Sequence, residues 1–377
     1  MAVGVNKKVS AASARAHTRK ANQNGSFQLP PGVLKKLLVL SFVGILAWAY
    51  QAIQAPPPKI PGTPGGPPIT APRIKLRDGR NLAYKEEGVP KESAKYKIVS
   101  VHGFDSCRHD SIATLMSPEL VKELGLHVVS FDRPGYGESD PNPKRTVKSM
   151  ATDIEELADQ LGLGSKFYVV GYSMGGEVIW SVLKYIPHRL FGAALISPVA
   201  NYWWTGFPAN LFKEAYNEQL LNDQWAVGVA HYLPWLTYWW NTQKWFPSSS
   251  AISHNPDVFS TRDKELVMEP NWQSRNAYAA YVRQQEEFES LHRDMIFGFG
   301  TWEFSPLELE NPFPNNEGSV HLWHGDDDHL VPVSLERYIA HQLPWIRYHE
   351  LPGEGHLIPY AVGNADTIIK ELLTGKK

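Results

Sequence analysis

Short apolar runs alternate along the chain with longer stretches of helical periodicity. KIVSVHG (97–103), HVVSFD (127–132), KFYVVG (166–171) and FGAALISP (191–198) have strand length and turn residues at their ends, and they read as buried strands. TVKSMATDIEELADQLGL (146–163) places apolar residues at helical spacing with its acidic residues mostly on the other face, the pattern of an amphipathic helix. IKLRDGRNLAYKEEG, from Ile74, predicts a hairpin turning at Asp78-Gly79. Between 201 and about 316 the alternation stops. It then resumes with a strand over 319–325, a helix over 333–343, a last strand over 346–352 and a closing helix over 365–374. Strand-helix alternation predicts an α/β fold whose sheet is mostly parallel, with helices on both faces. The interruption predicts a helical, aromatic-rich cap over 201–316, with a long helical stretch at 263–295, inserted into a core of 73–200 and 317–377. An insertion that long is usually functional.

One apolar run is longer than a buried strand needs. Leu37 to Ile53, LLVLSFVGILAWAYQAI, holds no charge and reaches the short end of the range for a membrane-crossing helix. Trp48 and Tyr50 near its far end suit the membrane interface. Lys7, Lys8, Arg15, Arg19, Lys20, Lys35 and Lys36 precede it, and no Asp or Glu occurs before Asp78. The chain therefore reads as a basic, disordered 1–36, a transmembrane signal anchor at 37–54 and a Pro/Gly-rich extended linker at 55–72 that holds the next domain off the membrane. The expectation is a single-pass protein of the endoplasmic reticulum or another endomembrane. The basic flank predicts a cytoplasmic N-terminus and a luminal domain. Two other readings stay open: a cleaved signal or transit peptide, with Ala47-Trp48-Ala49 resembling a cleavage site, and a buried or interfacial helix. The sequon Asn24-Gly25-Ser26 lies ahead of the run.

Composition removes some alternatives. A formal net charge of -2 over 377 residues gives no reason to expect a nucleic-acid partner. Cys107 is the only cysteine, so the chain can form neither an intrachain disulfide nor a Cys-based zinc site. Of 13 tryptophans, Trp203, Trp204, Trp225, Trp235, Trp239, Trp240 and Trp245 fall in one short stretch of the insertion.

The chemistry centres on Gly171-Tyr172-Ser173-Met174-Gly175-Gly176, set between a strand and a helix. A serine on such a turn is presented above the sheet at a helix N-terminus, where a backbone N–H can stabilise developing negative charge. Gly171 and Gly175 supply the small neighbours that a tight, strained turn requires. A serine hydroxyl needs a base, and the base needs an orienting acid. HLWHGDDDHLVPV places Asp326, Asp327 and Asp328 after a strand, and all three compete for the acid. PGEGHLIPY places His356 after the last strand. For an oxyanion hole, Met174 follows the nucleophile, and Phe104 follows His102-Gly103 at another strand end.

Together these residues resemble the α/β-hydrolase superfamily over about 73–375. HGF (102–104) is similar to that family's oxyanion loop, and DRPGYGESD (132–140) to the mainly structural loop after its next strand. GYSMGG resembles the elbow of monoacylglycerol-lipase-like and epoxide-hydrolase-like members. The resemblance implies Asp328 as the acid, because the family's acid stands three residues after the Gly of GDDDHLVP, and His356 of GEGHL as the base. The chain departs from its relatives at Phe104-Asp105-Ser106, where many carry a Pro or a run of glycines. A serine at the elbow departs from the branches with an Asp nucleophile. The basic start, apolar anchor and PGTPGGPP linker look like uncharacterised membrane-anchored plant α/β-hydrolases.

The expected function is a serine hydrolase, carboxylesterase- or lipase-like, cleaving a small hydrophobic ester through an acyl-enzyme on Ser173, with no cofactor or metal. The tryptophans of the cap are expected either to hold the cap to the core by ordinary packing or, for some of them, to line an apolar pocket or touch the bilayer. The alternatives are a ligand-binding protein without turnover and a lyase or acyltransferase using the same three residues.

Overall fold

A computed structural model describes Met1, Gly4 and residues 30–375. The basic segment ahead of residue 30 and its sequon otherwise lie outside the described residues. The chain divides into two compact units, Met1–Ile53 and Gln54–Lys377.

The first unit holds the helix Pro31–Ile53, which starts ahead of the expected Leu37. Proline suits the first helical turn, where its missing N–H is not needed, and Lys35 and Lys36 are good helix formers. Hydropathy marks only the apolar part of such a helix. Among the described residues it is the one helix long and apolar enough to cross a membrane.

The second unit is built on an eight-stranded sheet with the order β1-β2-β4-β3-β5-β6-β7-β8. The hairpin β1 (Arg73–Lys75) and β2 (Asn81–Gly88) is antiparallel, and β2 pairs antiparallel with β4 (Leu126–Phe131). From there β3 (Tyr96–Val101), β5 (Phe167–Tyr172), β6 (Leu190–Ile196), β7 (Ser319–Gly325) and β8 (Ile346–Leu351) run parallel. All six residues of β4 are buried, as a strand covered on both faces requires. One face packs against the helices Val147–Gln160 and Met174–Tyr185, and the other against Asn364–Thr374. The first of these helices starts at a Thr146–Ser149 capping box. It departs from the simple amphipathic pattern at Asp153, which is buried because Arg80 reaches it at 2.6 Å.

Between β6 and β7 the described residues form helices and turns with no strand, as expected of the cap. The long helical stretch at 263–295 is not continuous. It breaks into Thr261–Leu266, Pro270–Gln273 and shorter turns before a π-helical turn, Phe288–His292, leads into Arg293–Phe299. Pro270 cannot donate to the preceding turn, and it starts a new helix instead.

The linker also differs from expectation. Residues 55–72 do not stand free of the domain. The Lys59 N–H donates to the Gln285 carbonyl at 3.2 Å, and Lys59 Nζ pairs with Glu286 at 2.7 Å. Thr70 and Ala71 N–H groups both donate to Glu138 Oε2, at 2.8 and 3.0 Å. Composition reports a Pro/Gly chain as extended but carries no sign of these pinning points.

Cap and core meet at a fully buried ion pair. Arg133, just after β4, donates through Nη1 and Nη2 to the two carboxylate oxygens of cap residue Asp294, at 2.7 and 2.6 Å. Arg145 and the Tyr136 hydroxyl donate to the same carboxylate, at 2.7 and 2.8 Å. Removing one partner of such a network strands the other charges without solvent. Asp294→Ala is therefore expected to cost about 3–5 kcal/mol, read as a lowered midpoint in chemical denaturation of the full chain.

Candidate active site

The turn after β5 is strained in the way its sequence demands. Ser173 sits at φ 55° and ψ −121°, outside the regions open to most L-residues. Its N–H donates to Ile196 at the end of β6, and its carbonyl accepts from Glu177 and Val199, which hold the turn in place. The flanking glycines are sterically required. A Cβ on Gly171 would lie 2.3 Å from the Gly175 carbonyl oxygen, and one on Gly175 would lie 2.1 Å from that of Val101.

The structure brings the predicted side chains together. His356 Nε2 lies 3.0 Å from Ser173 Oγ, and His356 Nδ1 lies 2.8 Å from Asp328 Oδ2. All three residues are buried. The other two aspartates do not reach His356: Asp326 accepts from the Gly353 N–H, and Asp327 faces His329 on the surface. Asp328 Oδ1 accepts from the Leu330 and Val331 N–H groups, at 2.9 and 2.8 Å. Burial alone would raise the Asp328 pKa, but His356 and His324 outweigh it and hold the carboxyl well below its usual range.

The two predicted N–H donors are oriented by different means. Met174 opens its helix, so its N–H has no intrahelical acceptor. For Phe104 the cause lies in the neighbouring peptide. The Gly103 carbonyl accepts from Arg133 Nη2 at 2.9 Å, and no cis peptide is present among the described residues. A planar trans peptide then turns the Phe104 N–H to the side opposite Arg133.

The departure at Asp105 has a counterpart in the cap. Asp105 adopts φ 50°. Arg283 donates to both of its carboxylate oxygens, at 2.8 and 2.7 Å, and His254 lies 2.8 Å away. Arg275 donates to the Asp105 carbonyl at 3.2 Å. Burial would raise the Asp105 pKa, but Arg283 and His254 hold it well below the usual range. Three cap side chains thus fix the residue after Phe104.

Sequence reasoning missed these cap residues and also Asp263. The Asp263 carboxylate accepts from the His356 and Leu357 N–H groups, at 3.0 and 2.8 Å, and so fixes the histidine loop. The only signal was the capping box Ser260–Asp263, which marks a helix start and not a partner.

Two cavities meet at Ser173 and Phe104. One, of about 80 Å3, is walled by Val199, Tyr202, Val227, Met295 and Phe299. The other, of about 540 Å3, includes His356, Trp272, Arg275 and Lys264. None of the seven clustered tryptophans lines either cavity; Tyr202, Phe299 and Trp272 are among the cap aromatics that do. Trp204 is buried, Trp203 stacks on His231, and Trp225, Trp235 and Trp245 are exposed. The clustering therefore reflects packing within the cap and its outer face.

A family profile described as alpha/beta hydrolase fold matches residues 97–360. The chain belongs to the α/β-hydrolase superfamily. A bifunctional esterase/perhydrolase of Acinetobacter calcoaceticus is 25% identical over 311 residues, 80% of this chain and 97% of that protein. A hydrolase of Bacillus subtilis is 20% identical over 75% of this chain and 90% of its own length. The match to the acetyltransferase component of the acetoin cleaving system of Cupriavidus necator, 31% identical, spans only 30% of that protein. Among solved structures, an esterase of Exiguobacterium antarcticum superposes with a TM-score of 0.55 at 16% identity, covering 80% of this α/β-hydrolase and 99% of that chain. A thermophilic esterase of Thermogutta terrifontis gives 0.52 at 19%, covering 81% and 100%. The fold and these relatives support a hydrolase.

Behind the Ser173 site of this hydrolase, Glu336 is wholly buried and neither carboxylate oxygen has a hydrogen-bond partner among the described residues. Burial is the main cause that pushes its pKa up to about 8. A carboxyl raised above its unfolded value gives stability that is complete below the unfolded pKa and is lost as pH rises through about 8. Glu336→Gln should therefore melt with the parent at pH ~5 and at least about 5 °C above it at pH ~9 in thermal scans of both proteins.

Proposed function

We propose that the chain is a serine hydrolase that cleaves a hydrophobic ester through an acyl-enzyme on Ser173. The observation that carries this reading is the 3.0 Å approach of His356 Nε2 to Ser173 Oγ, with Asp328 behind the imidazole. In the first half-reaction His356 takes the Ser173 proton and Oγ attacks the ester carbonyl. The Phe104 and Met174 N–H groups hold the oxyanion. Collapse breaks the ester bond, and the alcohol leaves with the proton from His356. In the second half, His356 deprotonates a water that attacks the acyl-enzyme, and as the Oγ–acyl bond breaks it returns that proton to Ser173 Oγ, releasing the acid and free Ser173. Asp328 accepts from Nδ1–H throughout. It fixes the tautomer and balances the imidazolium charge. The similarity to the bifunctional esterase/perhydrolase of Acinetobacter calcoaceticus supports an ester as the substrate.

In this reading Arg283 is a positioning residue, because it holds Asp105 at a φ that needs outside support. The apolar helix Gly32–Ile53 serves as the membrane anchor, with the hydrolase unit on the luminal side. Protection of that unit from protease added to intact microsomes is the expected result, and its digestion would contradict the orientation.

Ser173→Ala should lower kcat on a panel of esters at least about 10^4-fold and abolish labelling by a fluorophosphonate probe. A fully active variant would refute the assignment. Arg283→Ala should lower kcat about 10- to 100-fold with KM changed less than about threefold, since a misplaced oxyanion donor acts on the transition state.

A further inference from the structure

The two cavities at Ser173 are not equivalent, and their differences orient the ester. The larger one is lined by His356 and the smaller one is not. In the reaction proposed above, His356 Nε2 must hand its proton to the departing oxygen, within about 3 Å of it. The alcohol half must then lie on the His356 side, and the acyl half is left with the other cavity.

Size and charge sort the two halves further. The acyl cavity, at about 80 Å3, is several times smaller than the alcohol cavity, at about 540 Å3, so the acyl half must be the shorter one. The acyl cavity is mainly apolar. Its one carboxylate, Asp223, is taken by the Ser249 hydroxyl and the Ser250 N–H, at 3.0 and 2.7 Å, and would repel an anionic acyl group. The alcohol cavity carries the opposite charge. Asp105 is the only carboxylate among its lining residues, and Arg283 already neutralises it. Arg275 faces a carboxylate, Asp110, only at 3.7 Å. Lys264 forms no ion pair among the described residues and stands at the solvent-exposed rim of the cavity. Low-dielectric walls lined by one sign of charge concentrate ligands of the other sign.

We infer that the preferred substrate is an ester of a short, uncharged acyl group with a larger alcohol that carries a negative charge, the alcohol occupying the cavity of Lys264, Arg275 and His356. This rests on Ser173 being the nucleophile; it keeps the ester chemistry and the apolar acyl half of that reading and replaces its hydrophobic alcohol half by an anionic one. It also places the greater part of recognition on the leaving group.

The test uses the full chain in detergent and three sets of esters. A 4-nitrophenyl series from acetate to decanoate reads the acyl cavity. 4-Sulfophenyl butyrate and its neutral 4-sulfamoylphenyl analogue read the charge preference. The expected results are a kcat/KM that falls at least tenfold from butyrate to decanoate and is at least tenfold higher for the anionic butyrate than for its neutral analogue. Val227→Phe should move the acyl cut-off toward acetate without altering the anionic-to-neutral ratio. Lys264→Glu should lower that ratio at least tenfold without moving the acyl cut-off. A cut-off that responds to Lys264→Glu and not to Val227→Phe would reverse the orientation. An anionic-to-neutral ratio near one in the parent would overturn the charge assignment. In either case, fluorophosphonate labelling of Ser173 would leave the serine hydrolase reading standing. Absence of both labelling and ester turnover would overturn the two readings together.

Discussion

The Arg133 guanidinium is the joint on which core, cap and reaction centre depend. It is fully buried, and its three nitrogens are all in use. Toward the cap it holds Asp294 through two charge-assisted bonds. Toward the core it holds the carbonyls of His102 and Gly103, and with them the direction of the Phe104 N–H. One rigid planar cation therefore links the placement of the cap to the placement of a proposed oxyanion donor. A lysine, with its single compact charge, could not reproduce that fork. His102 completes the joint by accepting from the Arg133 N–H at 3.0 Å, which fits an imidazole that burial keeps neutral.

Around this joint, the site is held from both sides of the sheet-cap boundary. The elbow is fixed by the core, through β6 and the close approach of glycine backbones. The histidine loop and the residue after Phe104 are fixed by the cap, through Asp263 and Arg283. The division makes chemical sense. The proposed nucleophile, Ser173, must not move, and a strained backbone buried in the sheet supplies that rigidity. The proposed base and oxyanion loop adjoin the cavities, where groups that would recognise a substrate can also set their positions.

Much of this was legible in the sequence, and the rest was hidden for a physical reason. The elbow, Asp328 and His356 could be read because each stands at the end of a parallel strand, and strands announce themselves as apolar runs. The sheet and most helix limits followed from the same periodicities. Asp263, Asp294 and Arg283 could not be read that way. Each acts across more than ninety residues of chain, and a polar side chain in an amphipathic region gives no sign of a distant partner. Where the helical stretch read at 263–295 would break, as it does before Pro270, was not legible, because periodicity records where apolar residues fall and not whether the backbone can hydrogen-bond. The roles of the tryptophans stayed open for a related reason: bulk apolar composition does not tell a cavity wall from an outer face.

The strap over residues 55–72 has a consequence for the order of assembly. It is made before everything it holds. Glu138 appears only after β4 has been synthesised, and Gln285 and Glu286 only when the cap is nearly finished. Until then Lys59 has nothing to grip. The Thr70 end of the strap can settle once the core has formed, but its Lys59 end only after the cap has closed on the core, so that docking is a late step of folding although its residues come early in translation. A nascent chain with an unfinished cap would leave the Lys59 end of this Pro/Gly stretch unheld.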